Sequence, residues 1–130
     1  MFVIAHEFAH AFQHGYLLYP EIKKVAGENK FYETVITELQ ADCIAGMFIS
    51  EAHETLNINR KDIAEMEFTA LRVGGGDHGT SQQRRMALRT GLGYKPGGCL
   101  INNIVAIANS DLNQKANYAL RGAMSNSFKT

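Results

Sequence analysis

Apolar residues recur at helical spacing along most of the chain, and where the period breaks, glycine or proline is present. Between residues 2 and 18, Ile4, Phe8, Ala11 and Phe12 follow that spacing with no glycine or proline before Gly15, which predicts a first helix. Residues 19–30 contain Pro20, Gly27 and Asn29 and read as a loop holding at most a short turn. A long periodic stretch over about 31–56 predicts a second helix. There Val35, Leu39, Ile44 and Phe48 can share a buried stripe, while Ala41, Ala45 and Gly46 permit a close helix contact. Asn59 can cap a third helix running to about Val73, and GGGD at 74–77 ends it in a loop expected to be mobile. Thr80 or Ser81 can cap a fourth helix to about Leu92, and Gly91, Gly93, Pro96, Gly97 and Gly98 then break the chain. Residues 101–108 and 112–123 carry weaker helical periods. No segment alternates as a strand does and no repeat is visible, so the expected fold is mainly α, one domain over residues 1–130.

Composition narrows the partners. A chain of 130 residues with 45% hydrophobic content can bury one core but not two of ordinary size. Thirteen Lys and Arg balance thirteen Asp and Glu, which removes the electrostatic reason to expect nucleic acid or an anionic membrane surface. No stretch approaches the ~20 apolar residues of a membrane helix, so the chain as written does not read as an integral membrane protein. Residues 2–5 lack the basic flank, length and cleavage site of a signal peptide. Cys43 and Cys99 are too few for a disulfide scaffold and are not spaced as a zinc knuckle; on their own they read as buried thiols.

The chemistry begins with HEFAH at residues 6–10. Side chains four apart on a helix are neighbours, so His6 and His10 can direct both imidazoles to one ion. Glu7 is rotated by about 100° from His6, which places its carboxylate beside such an ion, within reach of a hydrolytic water. The alternative is that the same three residues form the polar face of an amphipathic helix, so the test is a third ligand. His14 fails, because eight residues of helix rise about 12 Å from His6. Tyr16 occupies the position of a third histidine six residues after His10. Glu38 and Asp42, again four apart on the second predicted helix, are better placed. One carboxylate of the pair can ligate the ion while the other accepts a hydrogen bond from a ligand histidine. Their neighbours Leu39, Ala41, Cys43, Ile44 and Ala45 avoid solvent, and paired carboxylates in such company need a cation.

HEFAHAFQ at 6–13, ELQADCIAG at 38–46 and HGTSQQR at 78–84 together resemble, in order and spacing, the three signatures of the bacterial neutral zinc metallopeptidase family, a gluzincin group. The resemblance covers about residues 2–100. It implies a zincin-like helical core, a single Zn²⁺ held by His6, His10 and Glu38, Glu7 as catalytic base, and Asp42 as the hydrogen-bond partner of His6. The activity it implies is that of a zinc metalloendopeptidase acting on a peptide or protein. Ala9 departs from the glycine usual in relatives and is expected to thicken the helix contact slightly. HGTSQQR is also similar to a segment of the CAAX prenyl endopeptidases, which implies that His78 is catalytic, donating to the oxyanion, and that Arg84 anchors substrate. The other reading stays open: His78 begins a loop turn, and Arg84 pairs structurally with an acid, either one neighbouring Glu38 or Asp42. Relatives also carry cysteines at places matching Cys43 and Cys99, which implies a disulfide and, with it, an oxidising compartment.

Gluzincins commonly align substrate on the edge of a small sheet preceding the HExxH helix, and no such sheet fits in residues 1–5. The chain is therefore expected to be N-terminally truncated, to lack that sheet, or to borrow the missing edge from a partner. The apolar face this leaves open predicts self-association. Relatives imply the cell envelope or periplasm if a signal lies upstream, and the cytoplasm otherwise. Two rivals to an enzyme stand: a zinc-stabilised helical binding module that cleaves nothing, and a helical interaction protein without metal.

Overall fold

The computed structural model describes residues 2–72, 75–94 and 98–110. Six helices and one 3-10 turn account for its regular structure, with no strand among the described residues. They are α1 (Phe2–Gly15), α2 (Tyr19–Ala26), α3 (Lys30–Ala52), α4 (Arg60–Arg72), α5 (Ser81–Gly91) and α6 (Ile101–Ala108), with the 3-10 turn at Gly76–His78 between α4 and α5. The mainly α fold expected from the hydrophobic period is present. The helix expected over 112–123 lies outside the described residues.

Two boundaries differ from the sequence reading. The expected loop over 19–30 contains α2, because Pro20 sits in the first turn, where its missing N–H costs nothing. Glu21 near the N-terminus and Lys23 and Lys24 near the C-terminus complement the helix dipole, and Ile22 and Ala26 face the core. Asn29 then opens α3 by accepting a hydrogen bond from the Tyr32 N–H at 3.0 Å. At its other end α3 stops at Ala52, short of the expected 56. The chain reverses there through Asn57, at φ 55°, and the Ile58 N–H bonds to the His53 carbonyl at 2.8 Å.

α3 is the centre of the fold, packed by α1, α2, α5 and α6. Val35, Leu39 and Ile44 are buried as expected while Phe48 is only half-buried, and the burial is wider than a stripe: every residue from Leu39 to Gly46 is inside. A helix enclosed on all sides needs no amphipathic face. The close contact expected at Gly46 is the crossing with α5. A Cβ on Gly46 would run into the Leu88 carbonyl, and one on Gly91 into the Cys43 carbonyl, so the two backbones touch only because both residues are glycine. Outside α5, α4 is held by a buried Glu67–Arg89 ion pair, and the Arg89 guanidinium lies over the Tyr94 ring.

The two sides of α1 have opposite characters. Phe2, His6, Ala9 and Gln13 turn inward, Ala9 packing with Ala41 and Ile44. On the far side Ile4 and Phe8, both 64% exposed, border an apolar groove of about 620 Å³ that continues through Phe12, Phe48 and Ile58. No helix of the described residues is long and apolar enough to cross a membrane.

Candidate metal centre

α1 and α3 lie side by side, and the spacing of four that repeats on each helix brings two pairs of side chains face to face. His6 Nε2 stands 2.8 Å from Glu38 Oε2, His10 Nε2 stands 3.5 Å from the same oxygen, and the two Nε2 atoms are 3.0 Å apart. Donor atoms around a tetrahedral zinc with bonds of ~2.0–2.1 Å lie about 3.3 Å from one another, so these separations fit one ion. Among the described residues, His6, His10 and Glu38 form the group able to hold a metal.

The outer nitrogens show why the inner ones suit a cation. His6 Nδ1 faces Asp42 Oδ1 at 2.8 Å, a carboxylate that only accepts, and His10 Nδ1 faces Gln13 Oε1 at 2.9 Å. Both Nδ1 atoms therefore carry a hydrogen, and each ring, when neutral, turns an Nε2 lone pair toward the Glu38 carboxylate. Three electron-rich atoms at such distances repel unless a proton or metal ion lies among them. The acid–base behaviour of the cluster expresses the same need. Burial opposes charge on His6, but hydrogen bonds and charge from Asp42 and Glu38 outweigh it and raise the pKa to about 9. His10 is raised as well, chiefly by its hydrogen bond to Glu38. Burial would push Glu38 up, yet the two histidines hold it well below the usual carboxylate range. A metal entering this cluster displaces protons from the histidines.

Asp42 is fully buried on α3 and is itself held from α5. Arg84 Nε donates to Asp42 Oδ2 at 2.7 Å and Arg84 Nη2 to Asp42 Oδ1 at 2.8 Å, a two-pronged pairing, while the Phe2 ring lies against the guanidinium. The substrate-anchor expectation for Arg84 is corrected by this placement. An anchor needs an accessible guanidinium, and Arg84 is only 6% exposed and committed to Asp42, the pairing the sequence left open.

His78 lies at the rim of the centre. The 3-10 turn carries His78, half-exposed, to the rim, with Nδ1 at 3.7 Å from Glu38 Oε1 and Nε2 at 3.5 Å from Asp77. Gly79 lets this turn press on α3: its φ is +88°, and a Cβ there would come within 2.9 Å of the Leu39 side chain. Glu7, next to His6, is exposed on α1. His14 is exposed and outside the cluster, as its helical rise required. Sequence reasoning missed Gln13 and Gln40, both buried and both in the network behind His10. The available signal was a glutamine on the inward side of α1, where a polar group must have partners. Cys43 and Cys99 are bridged, joining α3 to the segment that leads into α6.

These features define a class: a helical protein in which the two histidines of HEFAH and a glutamate from a second helix converge as three donors able to hold a metal ion. The family model described as "Putative neutral zinc metallopeptidase" matches residues 1–99, and the chain belongs to that family. No curated protein and no solved structure matches it.

Proposed function

We propose that the protein is a zinc metallopeptidase hydrolysing peptide bonds in a peptide or protein substrate, with one Zn²⁺ held by His6, His10 and Glu38. The observation that carries this reading is the convergence of those donors with Asp42 locking the outer nitrogen of His6. When bound, zinc supplies a Lewis acid that polarises the scissile carbonyl and makes water acidic near neutral pH. Glu7, exposed beside His6, takes the proton from the attacking water and returns it to the leaving amine. His78, at the rim of the site, donates an N–H to the developing oxyanion. Arg84 fixes Asp42 and does not touch substrate. The Cys43–Cys99 bridge supports a location in an oxidising compartment such as the cell envelope.

The test is cleavage of an unstructured protein substrate by zinc-loaded protein, with Glu7→Gln as control. Removing a general base is expected to lower kcat by about 10²–10⁴ while zinc content stays unchanged. Equal activity in Glu7→Gln refutes the assignment of the base. No cleavage by the zinc-loaded wild type leaves the zinc-stabilised binding module in place of the enzyme.

A further inference from the structure

His10 is backed by a chain of neutral amides whose direction is set from both ends. Gln13, fully buried, accepts from His10 Nδ1 through Oε1, and its Nε2 donates to the Thr37 carbonyl at 3.0 Å and to Gln40 Oε1 at 3.0 Å. Gln40 Nε2 in turn donates to the Cys99 carbonyl at 3.2 Å. Backbone carbonyls only accept, so Thr37 requires the amino group of Gln13 on its side and Cys99 requires the amino group of Gln40 on its side. Flipping either amide would set acceptor against acceptor. The orientation forced on Gln13 therefore reaches His10 as a lone acceptor opposite Nδ1, which keeps the hydrogen there and leaves Nε2 free toward His6 and Glu38.

We propose that Gln13 and Gln40 form an amide relay that positions His10 for zinc, tying its ring and tautomer to α3 and to the disulfide-held Cys99 segment. Both glutamines are positioning residues: neither lies among the donor atoms that converge at the centre. The inference rests on the zinc reading above and adds a requirement that reading does not contain, namely that the centre loses affinity when the relay is cut with all three ligands intact.

Gln13→Met preserves volume and removes the hydrogen bonds. Zinc affinity, measured by competition with a chelating dye, is expected to fall about 10–100-fold, the usual effect of removing the partner of a ligand histidine. The nitrogen-15 spectrum of zinc-loaded protein supplies a readout that a packing role would not move: the His10 Nδ1–H signal, protected in the wild type, is expected to be lost. Gln40→Met cuts only the far link and is expected to lower affinity by about four- to tenfold, so it carries the test if Gln13→Met does not fold. Zinc affinity within about threefold of wild type in a folded variant, with the His10 Nδ1–H signal intact, overturns the relay while leaving the zinc reading untouched. A folded wild type that binds no zinc overturns both.

Discussion

The two histidines of the centre are four residues apart on one helix and are held by opposite kinds of chemistry. His6 is backed by charge: a fully buried Asp42 carboxylate pinned by the two prongs of Arg84. His10 is backed by neutral amides ending on two backbone carbonyls. A buried ion pair is expensive to break, because the survivor keeps its charge without a partner, whereas a broken amide link leaves neutral groups behind. The His6 side therefore serves the fold and the site together, and the His10 side serves mainly the site. The neighbouring carboxylates correspondingly carry His6 to a pKa of about 9.

Substitutions on each side test this contrast. Asp42→Ala, which leaves Arg84 buried, is expected to cost about 3–5 kcal/mol in denaturant unfolding and to weaken zinc binding as well. A loss near 1 kcal/mol would mean that the charged backing matters no more to the fold than the neutral one. Removing the bridge with Cys43→Ala and Cys99→Ala opens a loop of 56 residues and is expected to cost up to roughly 4 kcal/mol. Its effect on zinc affinity should stay below that of Gln13→Met, since the Thr37 carbonyl still orients Gln13. Smallest in stability is Gln13→Met itself, at about 1–3 kcal/mol. A cost equal to that of Asp42→Ala would erase the distinction between the two sides.

Much of this was legible in the sequence, for reasons that can be named. Spacing of four on a helix is a rigid ruler, so HEFAH and the Glu38–Asp42 pair could be placed on their faces before any coordinates. The same ruler removed His14. Gly46 was readable as a close contact, but its partner Gly91 was not, because a helix crossing is a tertiary fact that no local pattern encodes. α2 was hidden because Pro20 punctuates loops and helix starts alike. Arg84 kept two readings because spacing along α5 says nothing about which side of α3 it meets; burial against Asp42 decides between them. The amide relay was beyond reach for the same reason: its five residues come from α1, α3 and the segment before α6, and only the folded chain brings them together.

The central claim is that His6, His10 and Glu38 hold one zinc ion, and titrating metal-free protein with Zn²⁺ in a calorimeter tests it most directly. The account predicts about one equivalent bound by the wild type and none at the same site in Glu38→Ala, with the fold of that variant retained. Binding of less than about half an equivalent by folded wild-type protein, or an undiminished equivalent in Glu38→Ala, would contradict it.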